Sequence, residues 1–381
     1  MTGLGVGLMD PVMAARPTVD AFSRASYLGA VANRLDSYWV PDHINGQTPQ
    51  PLWDKKYTAS ARLLKSPDAP MEAWTLLGGM AARRRFNRVR LGIGVTDTGK
   101  RHPAVTAQAA ATLHLMTRGR AMLGIGPGER VGNEPYGVDW SKPVARFEEA
   151  LATIRALWDS KGELVNRDSH FFPLRDAMFD LPPYKGKWPE IWVAAHGPRM
   201  LRATGRYGDA WFPGFAHRPQ DYAKRLEIIR TAASDAGRDP MAITPAFWIP
   251  VIAARTRAEV DAALDATAVK AWALNGPAEF YANHGVAHPM GDDFAGMQDH
   301  VAFTIDERTI LEESAQVPLS VVKGMMLTGT VGDVLEQAAV WRDHGVRHIV
   351  VVNFGPMQPD VRATLATLRP FNRVIRGLKR L

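Results

Sequence analysis

Residues 89–126, VRLGIGVTDTGKRHPAVTAQAAATLHLMTRGRAMLGIG, hold the pattern that decides the fold. An apolar run at 89–94 precedes a helical pattern that begins at Pro103, and a second apolar run follows at 121–126. Proline is favoured at the first position of a helix, and short apolar runs are typical of buried strands. The order strand, helix, strand predicts a βαβ unit with parallel strands.

The same alternation extends in both directions along the chain. Further strands are predicted at 5–8, 37–40, 191–194, 210–212, 243–254 (with a break at Pro250) and 348–352. The helix after Pro143 has the clearest amphipathic pattern, with apolar residues at steps of three and four: Val144, Phe147, Leu151, Ile154 and Trp158. About eight strands separated by helices predict an α/β fold, a (β/α)8 TIM barrel, because eight parallel strands close such a barrel. An open, doubly wound parallel sheet is the alternative.

One segment breaks this alternation. Residues 274–320 contain several glycines and prolines and little periodicity, and βα units resume after them. A long irregular segment within a compact domain is typical of a lid or an insert. We therefore predict a single domain over residues 1–381, with an irregular insertion at 274–320.

Composition and charge exclude several classes of protein. The chain has no cysteine, which excludes disulfides, thiolate metal sites, iron–sulfur clusters and a cysteine nucleophile. Its apolar runs are too short for a membrane helix and its N-terminus lacks a secretory pattern, so a cytoplasmic location is expected. Basic residues cluster at 83–88 and 373–380 without the interleaved aromatic residues of a nucleic-acid module. No nucleic-acid partner is predicted, whereas peripheral contact of the basic C-terminus with the inner face of a membrane is compatible with this charge.

Two glycine-rich segments resemble nucleotide-binding loops, but each lacks a required residue. Residues 94–100 are similar to a phosphate-binding loop, but Arg101 stands at the position of the magnesium-binding serine or threonine. Residues 124–128 are similar to a dinucleotide fingerprint, but Glu129 replaces the next glycine. The histidines at 284, 288 and 300 show no defined ligand spacing, so no metal site is predicted.

Small and polar residues follow four of the predicted strands, in the segments Pro41-Asp42-His43, Gly94-Val95-Thr96-Asp97, Gly126-Pro127-Gly128-Glu129 and Ala195-His196-Gly197-Pro198. In a barrel these strand ends converge on one face, where catalytic groups collect. His43 can act as an acid or base near neutral pH, and Asp42 can anchor a ligand hydroxyl or amide. The alternative is that Asp42 and His43 form an ordinary turn and that Glu129 is a charge at the start of a helix.

Longer runs carry a resemblance to a known family. They are 38–43 (YWVPDH), 91–95 (LGIGV), 103–108 (PAVTAQ), 123–129 (LGIGPGE), 133–137 (NEPYG), 142–158 and 181–198. With them the chain resembles the bacterial-luciferase-like barrel superfamily, and more narrowly its branch that uses the deazaflavin coenzyme F420. The resemblance spans nearly the whole chain and is strongest over 97–209.

The resemblance implies an F420-dependent ketoreductase of cell-wall lipid synthesis, which transfers a hydride from reduced F420 to a keto group of a long-chain lipid. The same-fold alternatives are an FMN-dependent luciferase-like monooxygenase and another F420-dependent alcohol or sugar-phosphate dehydrogenase. A non-catalytic flavin or lipid carrier is the alternative of a different class. The resemblance is also compatible with a homodimer.

The resemblance also implies roles for individual residues. His43 and Glu129 match proton-transfer residues, with His43 the first candidate for the proton donor. The coenzyme-binding set comprises Asp42, Gly94, Val95, Thr96, Asp97, Pro127, Gly128, Asn133, Ala195, His196, Gly197, Pro198, Arg199 and Met200, and the Gly94–Val95 step matches a non-proline cis peptide bond. Gln47 stands where related sugar-phosphate dehydrogenases carry an active-site tryptophan, and Asp97 replaces their threonine. A sugar phosphate is therefore not the expected substrate.

The predicted partner is a keto-lipid substrate. Six aromatic residues in or near the insertion are candidates for a lipid-sized groove, or else for packing of the insertion on the barrel: Trp53, Trp272, Phe280, Tyr281, Phe294 and Phe303. The net charge of +7 also suits a coenzyme with a phosphate and an anionic glutamate tail.

Overall fold

The structure, a computed structural model, describes residues 3–83, 88–214 and 218–381. Part of the first basic cluster, Arg84 and Arg85, lies outside the described residues. The strands are Gly5–Met9 (β1), Ser37–Val40 (β2), Arg90–Asp97 (β3), Ala121–Gly126 (β4), Val165–Arg167 (β5), Leu174–Ala177 (β6), Glu190–Val193 (β7), Ala210–Trp211 (β8), Thr244–Ala253 (β9), Leu327–Gly329 (β10) and His348–Asn353 (β11). The helices are Ala21–Ala32 (α1), Ala73–Arg83 (α2), Pro103–Met116 (α3), Pro143–Trp158 (α4), Pro198–Tyr207 (α5), Pro219–Asp235 (α6), Arg257–Leu264 (α7), Thr267–Ala273 (α8), Ala278–Ala282 (α9), Glu307–Ala315 (α10), Leu319–Gly324 (α11), Val331–Asp343 (α12) and Val361–Leu378 (α13).

Eight parallel strands close into a barrel. The ring runs β1, β2, β3, β4, β7, β8, β9 and β11, and β11 returns to pair with β1. Helices lie between successive strands of the ring. The predicted (β/α)8 barrel is therefore confirmed, and the open doubly wound sheet is excluded because the sheet has no free edges in the ring.

Large rings fill the inside of the barrel. Trp39 of β2 contacts Trp192 of β7, with ring centroids 4.9 Å apart, and Phe212, with centroids 4.6 Å apart. Small residues on the neighbouring strands make room for them, since a Cβ on Gly92 would lie 2.4 Å from the Trp39 ring. Dense packing of this kind fixes the strand ends in place, because a close-packed interior resists displacement.

The strand β9 continues through Pro250 without the expected break. The backbone N–H of Trp248 donates to the carbonyl of Pro213, which follows β8. Residue 250 lies two positions further and would present an N–H to the same side. There β8 has ended and β10, which pairs from Leu327 onwards, has not begun. Proline is tolerated because no ladder bond is required at that position.

Several elements depart from the predicted βα series. The antiparallel hairpin of β5 and β6 and the short strand β10 were not predicted. The segment 274–320, expected to be irregular, contains α9, α10 and the start of α11. Its description as an insertion within a single domain stays a prediction. Within the described ranges, no helix combines the length and the apolar character needed to cross a bilayer.

Candidate active site

The residues predicted from the strand ends lie at the carboxyl ends of four neighbouring strands. β2, β3, β4 and β7 are adjacent in the ring. Residues 42 and 43 follow β2, residues 94–97 form the second half of β3, residues 127–129 follow β4, and residues 195–200 follow β7. The barrel therefore brings segments that are distant in sequence to one edge.

Cations hold the carboxylates at the ends of β2 and β3. Asp42 and Asp97 are each 5% exposed. Lys100 Nζ lies 3.8 Å from Asp42 Oδ2 and 3.2 Å from Asp97 Oδ2, and Arg101 Nε lies 3.5 Å from Asp42 Oδ2. The hydroxyl of Thr96 donates to the same Asp42 oxygen at 2.6 Å. Two buried carboxylates this close would repel each other, so the two cations make their burial tolerable.

The loops after β3 and β4 form one hydrogen-bonded unit. Asp97 Oδ1 accepts hydrogen bonds from the backbone N–H groups of Gly99, at 3.0 Å, and Lys100, at 2.9 Å. From the loop after β4, Asn133 Nδ2 donates to Asp97 Oδ2 at 3.3 Å. Gly128 has a φ of 94°, and a Cβ there would lie 2.8 Å from the Cβ of Asp97. Glycine is therefore required for this close approach of the two loops.

Glu129 lies beside a histidine and an amide. Its Oε2 accepts a hydrogen bond from Gln47 Nε2 at 3.0 Å and lies 3.8 Å from His43 Nδ1. Removal from water raises the pKa of Glu129 above its ordinary value, and the neighbouring His43 and Gln47 only partly oppose this rise. The side chains of His43 and Glu129 are still 28% and 22% exposed, so both reach solvent. This carboxyl can hold a proton closer to neutral pH than an ordinary glutamate.

The predicted residues after β7 form the start of α5. Pro198 is its first residue and Gly197 its N-cap, and both are exposed together with His196 and Arg199. Arg199 Nε donates to Glu148 Oε2 of α4 at 2.8 Å. The first amides of a helix have no acceptor within it, so this end of α5 can bind an anionic group. Ala195 and Met200 are buried beneath this exposed turn.

Part of the insertion covers the loop after β4. Gln298 Nε2 donates to the carbonyl of Gly128 at 3.3 Å, and the Arg130 guanidinium lies 3.6 Å from Asp299 Oδ1. Gln47 and Glu129, with residues of the insertion, line a narrow cleft at this contact. The segment 274–320 therefore contacts the same edge of the barrel as the predicted site.

The Gly94–Val95 peptide bond is cis, as the resemblance implies. Three of the six aromatic residues, Trp272, Phe280 and Tyr281, are buried in one core cluster with the helices of the insertion. Packing of the insertion on the barrel accounts for these three, and they do not line an open groove.

The histidines considered for a metal site each form a hydrogen bond with an oxygen of the protein. His284 Nδ1 lies 2.9 Å from the carbonyl of Phe280, and His288 Nε2 lies 3.2 Å from that of Leu274. His300 Nδ1 lies 2.5 Å from the side-chain oxygen of Asn275. Each ring is thus fixed by a local hydrogen bond.

Sequence reasoning missed several residues of the site. Lys100 was considered only as part of a phosphate-loop pattern, yet it joins the carboxylates after β2 and β3. The available signal was chemical, because two buried carboxylates at adjacent strand ends require a nearby cation. Asn275 and His300 line the same cleft as Glu129 but gave no comparable signal, since they lie in a segment without periodicity.

Comparisons with known proteins agree with this geometry. Residues 5–348 match the family model described as luciferase-like monooxygenase. A phthiodiolone/phenolphthiodiolone dimycocerosates ketoreductase of Mycobacterium sp. (strain JLS) is 60% identical over 381 residues, and the protein of that name from Mycobacterium bovis (strain BCG / Pasteur) is 54% identical over 384 residues; both alignments cover 100% of each chain. A solved structure of an F420-dependent secondary alcohol dehydrogenase in complex with an F420-acetone adduct shares the fold, with a TM-score of 0.70 at 19% identity over 99% of each chain. The chain belongs to the luciferase-like monooxygenase family.

Proposed function

We propose that this protein is an F420-dependent ketoreductase, which transfers a hydride from reduced F420 to a keto group of a long-chain lipid of the phthiodiolone type. Full-length relatives at 60% and 54% identity carry a ketoreductase name. The single observation that supports the chemistry most directly is Glu129, which lies at a strand end beside His43 with its pKa raised. A ketone that receives a hydride needs a proton on its oxygen, and such a carboxyl can hold that proton.

The strand ends fit a polar, flat cofactor such as F420. Three buried oxygens near them, Asn45 Oδ1, Thr98 Oγ1 and Asn133 Oδ1, have no hydrogen-bond partner among the described residues. Buried polar atoms in proteins are normally paired, so these three suit a ligand that brings its own donors. When bound, reduced F420 supplies the hydride. We assign its binding to Asp42, Gly94, Val95, Thr96, Asp97, Pro127, Gly128, Asn133, Ala195, His196, Gly197, Pro198, Arg199 and Met200.

The chain itself supplies positioning and the proton. The raised pKa favours the protonated form of Glu129, so we place Glu129 ahead of His43 as the donor. With reduced F420 bound, hydride transfer to the carbonyl carbon would be accompanied by transfer of the Glu129 proton to the carbonyl oxygen, and the products would be a secondary alcohol, oxidised F420 and the Glu129 carboxylate. His43 lies 3.8 Å away and is partly exposed, so it is placed to return a proton from solvent.

The test compares F420 with FMN on the purified protein. Quenching of the fluorescence of its 11 tryptophans measures the binding of each cofactor, and we expect binding of F420 but not of FMN. Reduced F420 is then mixed with the protein with and without a long-chain ketone. We expect F420 oxidation only with the ketone, on the order of one turnover per second.

A matched pair of variants separates the site from the surface. Asp97→Asn should weaken F420 binding, whereas Asp168→Asn, at an exposed ion pair with Arg175, should leave it unchanged. Tight binding of FMN without binding of F420 would support the monooxygenase alternative instead. Binding of F420 without ketone-dependent oxidation would support a carrier.

A further inference from the structure

A buried pair in the insertion has a fixed hydrogen-bond direction. The Asn275 amide nitrogen donates to the carbonyl of Trp272 at 2.9 Å, so its oxygen faces His300 Nδ1 at 2.5 Å. An amide oxygen only accepts hydrogen bonds, so Nδ1 of His300 carries the ring proton. The other ring nitrogen, Nε2, is then a hydrogen-bond acceptor.

The turn before His300 holds it against Asn275. Gly296 has a φ of 69°, and a Cβ there would lie 2.6 Å from the carbonyl oxygen of Asn275. The next residue, Met297, donates its N–H to that same carbonyl at 3.1 Å. A side chain at position 296 would push the backbone at Gly296 away from the backbone at Asn275. The glycine therefore allows the His300 ring to reach Asn275.

His300 is buried with Nε2 unsatisfied. The residue is 3% exposed, and its Nε2 has no hydrogen-bond partner in the described part of the chain. Burial, with a smaller contribution from the nearby His288, lowers the pKa of His300 to about 4. The ring is therefore neutral at pH 7, and the unpaired nitrogen offers a lone pair rather than a proton.

His300 and Glu129 line the same narrow cleft. Its lining includes Gln47 and Glu129 from the loops of the barrel and Asn275, Met297 and His300 from the segment 274–320. An unpaired buried acceptor costs free energy unless a ligand donates to it. Glu129, the proton donor of the proposed function, and His300, whose Nε2 is an unpaired acceptor, thus line the same cleft.

We propose that His300 is a substrate-contacting residue whose Nε2 accepts a hydrogen bond from the hydroxyl of the secondary alcohol. This inference rests on the proposed function, which places the reacting oxygen in the cleft beside Glu129. A ketone oxygen has no proton to donate to Nε2, whereas the alcohol formed from it has one. His300 therefore distinguishes the alcohol from the ketone, and Asn275 is the positioning residue that fixes its ring.

The test measures equilibrium binding in complexes that cannot react. Decan-2-ol is titrated into the protein with reduced F420, and decan-2-one into the protein with oxidised F420, with tryptophan fluorescence as the readout. His300→Asn keeps a side-chain amide near the position of Nδ1 and removes Nε2. We expect the Kd of the alcohol to rise about fivefold, the effect of one lost hydrogen bond, and that of the ketone to change less than about twofold.

Two further variants separate recognition from structure. His300→Gln places an amide near the position of Nε2 and should restore part of the preference for the alcohol. His288→Asn alters a neighbouring buried histidine whose two ring nitrogens already have partners, and it should not change the ratio of the two Kd values. An unchanged ratio in a folded His300→Asn protein, or no binding of the alcohol to the parent protein, would overturn the inference. A parent protein that binds the alcohol through His300 but does not reduce the ketone would overturn the proposed function alone.

Discussion

One edge of the barrel holds carboxylates in two contrasting surroundings. Asp42 and Asp97 lie at the ends of β2 and β3, and Glu129 follows β4. Asp42 and Asp97 contact Lys100, and Asp42 also lies 3.5 Å from Arg101. Glu129 contacts the amide of Gln47 and lies 3.8 Å from a histidine. The same chemical group is thus paired with a lysine and an arginine in one place. In the other it is paired with an amide and a histidine, and Lys100 makes a smaller electrostatic contribution.

The contrast separates two tasks. A carboxylate paired with lysine or arginine keeps its charge and can anchor a ligand through a fixed pattern of acceptors. A carboxyl whose pKa is raised by burial keeps its proton to higher pH than an ordinary carboxyl, which suits it to donate that proton. We therefore expect substitutions in the first region to affect stability and cofactor binding, and those around Glu129 to affect the dependence of the rate on pH.

The largest effect is expected from Lys100→Met. The substitution leaves the buried Asp42 and Asp97 without their shared lysine, while Arg101 stays beside Asp42. Breaking a buried ion pair from one side costs about 3–5 kcal/mol. We expect a corresponding loss in the free energy of unfolding, measured by denaturant titration without cofactor. Lys100→Arg should recover most of the loss.

The control for Lys100 is Lys56→Met, which removes a lysine from an exposed pair with Glu307. Exposed pairs contribute little, so this variant should unfold at nearly the parent denaturant concentration. Equal losses in both variants would show that the buried position of Lys100 is unimportant, and the contrast between the two regions would fail.

The second effect is expected from Glu129→Gln, in opposite directions for rate and stability. Ketone-dependent oxidation of reduced F420 should fall about 100-fold, because the proton donor is lost. Burial raises the pKa of Glu129 in the folded state above its ordinary value of 4.5. The folded state therefore loses stability relative to the unfolded chain as the pH rises from 4.5 through the folded-state pKa. The variant should therefore have a higher Tm than the parent at pH 8, and the difference should shrink as the pH falls towards the ordinary value of 4.5.

The control for Glu129→Gln is His43→Gln, which keeps the carboxyl. If His43 only returns protons to Glu129, this variant should lose less activity than Glu129→Gln. Full activity in Glu129→Gln with complete loss in His43→Gln would make His43 the proton donor. His43 is the first candidate from the sequence.

The barrel and the strand-end residues could be predicted because both depend on local patterns. Apolar runs marked the eight strands of the ring, and the small and polar residues after β2, β3, β4 and β7 marked the edge at which they meet. The hairpin of β5 and β6 escaped prediction because its strands are three and four residues long and largely polar. Such pairs are stabilised by contacts across the strands, which leave little periodicity in the sequence.

The partners of the site residues could not be predicted, because they depend on contacts between distant segments. Gln47 lies 82 positions before Glu129, and Lys100 lies 58 positions after Asp42. The resemblance places Gln47 at an active-site position, but only the fold shows that its amide donates to Glu129. What distinguishes this site is thus carried by tertiary contacts.

The smallest effect, and the sharpest test of the contrast, is expected from Gln47→Leu. The Gln47 amide donates to Glu129 Oε2 at 3.0 Å and stabilises the ionised carboxylate, so its loss should raise the pKa of Glu129 further. An acid must be protonated to act, so the decline of the ketone reduction rate at high pH should move to higher pH. The free energy of unfolding should fall by only about 1 kcal/mol, the usual contribution of one hydrogen bond. Gln50→Leu is the control. Gln50 lies three residues after Gln47 and donates to Asp68 in an exposed hydrogen bond, so the pH profile of this variant should match that of the parent. A profile for Gln47→Leu that stays in place or moves to lower pH would mean that Glu129 does not limit the rate, and that the two groups of carboxylates do not divide anchoring from proton transfer.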